Sequence, residues 1–329
     1  MCVIVAKKSK LKSSNKDNWF LYKVRDRAYD PKYTVKYNSK GDVQAVFLVD
    51  QDSDWTEGVN SAGIMLVSAA LQNHDDKKDG TKDDKSLPKQ VTRNGVILRQ
   101  VLRMDKIKDV VDTLVEERFT GNTFVSDGEK LFIIEIYIKK ENVDKYTEQM
   151  MKDIDTGELD DAEIKRKVMA GLQPDDYGVS VKEIKKDRLV ARTNHGIIDD
   201  NGGYQPSEDG YESSKSRLEV ALNALKVLED DSHPFYALTI LKNLTREEDK
   251  EENNPIRTKG NDSGYFSGTV VMLTPTGSLF AVPLHASFEN VNFERIFKER
   301  KVQFVLLPKN LPLFENSFTS KALDSLIVG

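Results

Sequence analysis

The chain has 329 residues and only one cysteine, which is its second residue. A single cysteine cannot form an internal disulfide, so the cysteine content gives no indication of a secreted, disulfide-stabilised protein. The four histidines, at positions 74, 195, 233 and 285, are scattered without the spacing of metal ligands. The sequence therefore predicts no metal site and implies no cofactor.

The chain also lacks a basic excess and a long apolar run. Lys+Arg number 49 against Asp+Glu 54, a net charge of −5, which argues against a general nucleic-acid binder. No apolar run approaches the roughly 20 residues of a membrane span, and residues 1–10 lack the basic start and apolar core of a signal peptide. We expect a cytoplasmic globular protein with no membrane partner. Homo-oligomerisation is left open.

The first half of the chain alternates short apolar strands with polar turns. Strands are predicted over 2–8, 19–26, 43–50 and 64–71, and two more within 120–140 around a Ser-Asp-Gly turn. Between them, apolar residues recur at i, i+3, i+4, i+7 and i+8, which predicts an amphipathic helix. Those residues are Ile107, Val110, Val111, Leu114 and Val115.

The second half adds a strand at 188–193, two helices and three final strands. The helices are predicted over 213–230, with Ser213 or Ser214 as N-cap, and over 233–244, with Pro234 in its first turn. The strands are predicted over 268–275, 277–283 and 302–308. This pattern predicts an α+β fold in which two packed antiparallel sheets are flanked by helices.

Three segments interrupt this pattern. Charged loops are predicted near 73–90 and 245–263, and a helical insertion near 141–175. The whole chain, 1–329, is interpreted as one domain.

Cys2 permits two interpretations. It is either a small apolar strand residue or, once Met1 is removed, a nucleophile that also carries a free α-amine. That amine has an unperturbed pKa near ~8 and can take the proton of its own side chain, as in the Thr–N-terminal-amine arrangement. No histidine is then required as the base.

Five stretches in order resemble the N-terminal-nucleophile (Ntn) amide hydrolases, in particular the group of choloylglycine hydrolases, penicillin V acylases and penicillin acyltransferases. They are "MC" before an apolar strand, "YKVRDRAYD", "EGVNSAGIMLVSAAL", "ARTNHG" and "SSKSR". "GNTFVSDGEKLFIIE" is similar to the hairpin that lies between them in the family. The resemblance covers residues 1 to about 230 and implies a four-layer αββα Ntn-hydrolase sandwich.

The resemblance also implies an activity. The chain would be an amidase or acyltransferase that cleaves a linear, non-peptide C–N amide through a thioester on Cys2, with a small-molecule amide or acyl donor as its partner. The alternative is a catalytically silent member that binds a small molecule or a partner protein.

Residue by residue, the resemblance implies a catalytic group around the nucleophile Cys2. Asp26 would orient the amine, and Arg25 would lie near the thiolate. Asn194 would donate to the oxyanion from its side chain. The remaining roles are those of Ala70, which would donate its backbone N–H to the oxyanion hole, and Arg217, which would hold the site together by charge-assisted hydrogen bonds.

Two alternatives remain open at this point. "RAYD" offers a second register, in which Arg27 and Asp30 take the roles of Arg25 and Asp26. A thiol–imidazole pair between Cys2 and His195 is a further alternative, as in papain-like enzymes.

Overall fold

The computed structural model describes twelve ranges of the chain. They are residues 2–10, 16–27, 31–38, 41–51, 53–71, 88–139, 141–142, 171–230, 232–244, 266–284, 287–289 and 301–308. The predicted loop at 245–263 lies outside them, as do most of the loop at 73–90 and most of the insertion at 141–175.

Fourteen strands are found in the described ranges. In chain order they are β1 (Cys2–Lys10), β2 (Asp17–Arg27), β3 (Lys32–Asn38), β4 (Ala45–Asp50), β5 (Thr56–Asn60), β6 (Met65–Ala69), β7 (Gly121–Ser126), β8 (Leu131–Ile138), β9 (Tyr177–Glu183), β10 (Leu189–Arg192), β11 (Phe266–Leu273), β12 (Ser278–Pro283), β13 (Ser287–Glu289) and β14 (Gln303–Leu306).

Four α-helices have their bounds within the described ranges. They are α1 (Pro88–Val101), α2 (Ile107–Glu116), α3 (Asp209–Lys226) and α4 (Pro234–Asn243), with one short 3₁₀ helix (Pro174–Asp176). Among the described residues, none of these helices has the length and apolar character needed to cross a membrane.

The strands form two sheets. The first has six strands in the order β10-β1-β2-β11-β12-β14, and the second has eight in the order β13-β3-β4-β5-β6-β7-β8-β9. Neighbouring strands run antiparallel except in the pairs β12/β14 and β13/β3, which are parallel. The mostly antiparallel arrangement confirms the predicted sheet type.

Three apolar layers show how the sheets and helices stack. One lies between the two sheets and contains side chains such as Ile4, Leu21 and Val67. A second covers the outer face of the first sheet, where α3 and α4 pack through residues such as Leu225 and Leu238. The third joins α1 and α2 to the outer face of the second sheet. The order helix, sheet, sheet, helix confirms the predicted four-layer αββα sandwich.

Two helix assignments differ from the sequence prediction. Helix α1 was not predicted, and it begins at Pro88 within the segment assigned to a charged loop; its polar residues and Gly95 obscure the apolar face. Helix α3 begins at Asp209, so Ser213 and Ser214 lie inside it and the predicted N-cap is wrong. The hydroxyl of Ser214 instead accepts a hydrogen bond from the backbone N–H of Asn194 at 2.9 Å.

Candidate active site

Cys2 opens strand β1 at one end of the inter-sheet layer. The residue is 5% exposed and belongs to the same apolar layer as Ile4 and Ala6. Its backbone nitrogen donates a hydrogen bond to Oδ1 of Asn194 at 3.0 Å. The nitrogen that would become the α-amine on removal of Met1 therefore already faces a buried polar side chain.

Arg217 reaches the same oxygen from helix α3. Its Nη1 and Nη2 both lie 3.3 Å from Oδ1 of Asn194, and Nη1 lies 3.4 Å from the carbonyl oxygen of Cys2. The Arg217 side chain is fully buried, and its Nε donates to the carbonyl of Ser213 at 3.1 Å. Arg217, Asn194 and the backbone of Cys2 thus form one connected group.

Asn194 and Ala70, the two residues of the predicted oxyanion hole, are in contact. Nδ2 of Asn194 donates to the carbonyl oxygen of Ala70 at 2.8 Å. An amide NH₂ has two N–H groups, so this bond uses one of them. The contact links the end of β6 to the loop after β10, whereas the oxyanion role of the pair stays a prediction.

The loop that carries Asn194 is fixed from the second sheet. Asn122, on β7, donates from Nδ2 to the carbonyl oxygens of Thr193 at 2.9 Å and His195 at 3.0 Å. Asn122 is fully buried. These bonds hold the backbone on both sides of Asn194, and so they set the direction of its side chain.

Glu135, on β8, holds the next part of this loop. Its fully buried carboxylate accepts hydrogen bonds from three consecutive backbone N–H groups, those of Ile197, Ile198 and Asp199, at 2.8–3.3 Å. Its Oε1 also lies 3.3 Å from Nε of Arg192. Residues 193–199, the first part of the loop after β10, are therefore tied to the second sheet.

His195 lies among hydroxyl groups. Its Nδ1 is 2.8 Å from Oγ of Ser214 and 3.1 Å from Oγ1 of Thr193. Burial lowers the pKa of His195, and nearby cations, Arg217 foremost, lower it further. A neutral ring bonded to two hydroxyls favours a packing role in the loop over the papain-like pairing with Cys2.

Arg25 lies directly across from Cys2 in the β1–β2 pairing. Its fully buried guanidinium points into the layer between the sheets, where it donates to Oε2 of Glu57 and, at 3.1 Å, to the carbonyl oxygen of Trp55. It also lies 4.8 Å from the ring centre of Tyr33. The structure thus places the predicted Arg25 beside strand β1, with its charge directed to the opposite sheet.

Three further charged residues complete this buried cluster. Lys23 donates to Oε1 of Glu57, and Oδ2 of Asp50 lies 3.9 Å from Nη1 of Arg25. All four side chains, those of Lys23, Arg25, Asp50 and Glu57, are fully buried. Burial would raise the pKa of Glu57, but the charges and hydrogen bonds of Arg25 and Lys23 outweigh it and leave that pKa lowered. We call these four residues the buried ion cluster.

Lys23, Asp50 and Glu57 were not predicted as site residues from the sequence. A signal for Lys23 was present, because every second residue of β2 faces the same side. Trp19 and Leu21 on that side are buried between the sheets, so Lys23 follows them into the core. Asp50 and Glu57 come from separate strands, and only their pairing in the second sheet brings them together.

The roles predicted for Asp26 and Asp30 are not tested. Asp26 lies in β2, where its backbone pairs with Ser267 of β11. Its side chain, that of Arg27 and all of Asp30 lie outside the described part of the chain. Both registers therefore stay predictions.

The third stretch of the resemblance, "EGVNSAGIMLVSAAL", contains a structural turn. Asn60 accepts from the backbone N–H groups of Ala62 and Ile64 and donates to the carbonyl oxygens of Leu102 and Met104, so its amide is used in folding. Gly63 has φ +81°, and a Cβ there would lie 2.7 Å from a backbone oxygen. A glycine is needed at that position for both reasons.

Within the ranges that the structure describes, no three His, Cys, Asp or Glu side chains are grouped so that they could hold a metal ion.

Comparison with known proteins gives only distant structural likenesses. No protein-family model and no curated protein matches the chain. Among solved structures, the chain is similar to a penicillin V acylase from Agrobacterium tumefaciens, with a TM-score of 0.41 and 9% sequence identity over 85% of this chain and 86% of the other. A likeness this distant carries no inference about activity.

Proposed function

We propose that the protein is an amidase or acyltransferase that uses Cys2 as an N-terminal nucleophile and cleaves a linear, non-peptide C–N amide. One observation carries this proposal. The backbone nitrogen of the chain's only cysteine is bound by the side chain of Asn194, whose oxygen is also held by the buried Arg217.

The same arrangement suits an α-amine that acts as a base. Once Met1 is removed, the amine would donate one N–H to Oδ1 of Asn194, which leaves its lone pair free to accept the thiol proton. The guanidinium of Arg217 lies near the same atoms, and a neighbouring positive charge disfavours the ammonium form. Arg217 would therefore keep the amine neutral, and so able to accept a proton, near neutral pH.

The reaction would proceed in two steps. In acylation, the amine takes the Cys2 thiol proton, the thiolate sulfur bonds to the amide carbonyl carbon, and the carbonyl electron pair moves to oxygen. The C–N bond then breaks, the α-ammonium returns its proton to the leaving amine, and a thioester remains. In the second step, water or an acceptor amine attacks the thioester and the thiol is restored.

Stabilisation of the oxyanion would come from the remaining N–H of Asn194 and the backbone N–H of Ala70. Such a donor is worth about 10²–10³ in rate in other enzymes. The hydrogen bond between Asn194 and the carbonyl of Ala70 would hold the two donors in a fixed relation.

The test is to trap the acyl-enzyme. Purified protein is incubated with a panel of p-nitrophenyl esters and anilides of increasing acyl chain length, and its intact mass is measured after rapid acid quenching. We expect an increase of one acyl group that peptide mapping assigns to Cys2 and that Cys2→Ala lacks. Absence of an adduct and of amine release across the panel, or an equal adduct on Cys2→Ala, would refute the assignment of Cys2 as the nucleophile.

A further inference from the structure

The buried ion cluster has no role in the reaction derived above. It contains two cations and two anions, Lys23, Arg25, Asp50 and Glu57, all fully buried between the sheets. Buried ion pairs give little net stability, because the loss of hydration offsets much of their attraction, and well-packed apolar side chains often serve a core as well or better. The cluster therefore calls for an explanation other than stability.

Its position supplies that explanation. Cys2 and Arg25 are direct partners in the antiparallel pair β1–β2, and Cβ atoms of such partners lie about 5 Å apart on one face of the sheet. Cys2 belongs to the layer between the sheets, and the guanidinium of Arg25 contacts Glu57 in that layer. The cluster thus begins at the residue next to the thiol.

Glu57 is the centre of the cluster. Its Oε1 accepts from Lys23 and its Oε2 from Arg25, so one carboxylate directs both cations. Trp55 assists, since its carbonyl oxygen accepts from Arg25 and its ring lies 5.3 Å from the Lys23 ammonium. Asp50 lies farther from Arg25, at 3.9 Å.

We propose that Glu57 is a positioning residue for Cys2. Glu57 holds Arg25 and Lys23 beside strand β1 and balances their charge. The inference rests on the proposed function, in which Cys2 is the nucleophile. It predicts that the charge of the cluster governs thiolate formation at Cys2, although neither Glu57 nor Lys23 contacts the reacting atoms.

The experiment measures the pH dependence of Cys2 alkylation by iodoacetamide, followed by mass spectrometry. Only one cysteine is present, so the midpoint of the rate profile reports this thiol alone. Glu57→Gln removes an anion near the thiolate, so its midpoint should fall by about one pH unit, whereas Lys23→Gln removes a cation, so its midpoint should rise by a similar amount. General loosening of the fold would move both midpoints in the same direction, toward the value of a free cysteine.

A matched control comes from a carboxylate–arginine pair away from the inter-sheet layer. Asp54 binds Arg99 of helix α1 at 2.7 and 2.9 Å, and Asp54→Asn should leave the midpoint unchanged. Thermal melts report folding, and if Glu57→Gln does not fold, Lys23→Gln decides alone. An unchanged or lowered midpoint for Lys23→Gln overturns the proposal, and so does a shift in Asp54→Asn as large as that in Glu57→Gln.

A failure of this proposal can be distinguished from a failure of the proposed function. Alkylation needs neither substrate nor turnover, so opposite midpoint shifts would establish control of the thiol by the cluster even if no acyl-enzyme formed. Conversely, acyl-enzyme formation with unshifted midpoints would mean that Cys2 is the nucleophile and that Glu57 does not position it.

Discussion

The middle and the open end of the β1–β2 hairpin present opposite chemistry to the same inter-sheet layer. In the middle, Ala6 is paired with Leu21, and Trp19 lies two residues from Leu21 along β2 toward the turn; all three are buried and apolar. At the open end, Cys2 is paired with Arg25. The backbone pairing is the same in both places, so the side chains alone distinguish a core from a candidate site.

This difference shows which part of the hairpin contributes less to the stability of the fold. Apolar burial in the middle of the hairpin stabilises the pairing of the sheets, at about 25 cal/mol per Å² of apolar surface. The Cys2 end buries charges and amides that need many partners to offset their lost hydration. Polar groups that lose hydration free energy by burial at one end of a strand pair indicate where function should be tested.

The largest expected effect follows from blocking the amine of Cys2. A chain with an uncleaved N-terminal extension keeps the thiol and the fold but lacks the free base, so we expect amide turnover to fall by about 10²–10⁴-fold. Proteolytic removal of the extension to leave Cys2 first should restore activity. Equal activity before and after cleavage would mean that the amine has no part in catalysis.

Substitution of Asn194 should have the next largest effect. Asn194→Ala removes a predicted oxyanion donor and the acceptor of the Cys2 N–H, so acyl-enzyme formation should slow by roughly 10²–10³-fold. Stopped-flow measurement of the first turnover separates this step from deacylation. Loss confined to deacylation would contradict the predicted role.

Asp26 and Asp30 distinguish the two registers of the second stretch. If Asp26 orients the amine, Asp26→Asn should lose most activity with little change in Tm, whereas Asp30→Asn should stay active and lose at most about 1 kcal/mol of stability. The rival register predicts the reverse. Both variants remaining active would remove this segment from the mechanism.

Asn122 lies outside the reacting group and should act through stability. Asn122→Ala leaves the carbonyl oxygens of Thr193 and His195 without their buried donor, which we expect to lower the free energy of unfolding by about 2 kcal/mol. Chemical denaturation measures this change. A loss of activity with no loss of stability would show instead that Asn122 takes a direct part in the site.

The smallest expected effect is a pH dependence that comes from His195. Its pKa is lowered in the folded state, mainly by burial, so below the unfolded value of about 6.5 the unfolded chain binds more protons than the folded one. The stability that neutral His195 contributes is therefore full above about pH 6.5 and is lost as the pH falls further. The Tm of the unmodified protein relative to His195→Asn should decline from about pH 7 to about pH 5, and a constant difference would contradict the assignment.

The sequence was sufficient for the layers of the fold because apolar periodicity determines them. Helix α2 carries its apolar residues at regular helical spacing, and the structure confirms it over Ile107–Glu116. Helix α1 was not predicted because its apolar residues are few and interrupted by polar ones. Its packing on the second sheet, through residues such as Leu98 and Val101, holds it in place.

The candidate site was predictable only in part. Motifs pointed to Cys2, Asn194 and Arg217, and the structure brings these three into contact. Glu57 could not be predicted from the sequence, because its contacts depend on the approach of two sheets. The prediction of Ser213 or Ser214 as the helix cap was wrong, since a serine before a periodic apolar run has the same pattern whether or not the helix begins there.

The central claim is that Cys2 becomes the first residue of the mature chain and carries the free amine that acts as base. Intact-mass measurement of the purified, untagged protein tests it most directly, because removal of Met1 lowers the mass of the chain by one defined amount. We expect a chain that is lighter by one methionine residue and has Cys2 at its start. A population that retains Met1 in full would leave the Cys2 nitrogen as an amide and would contradict the claim.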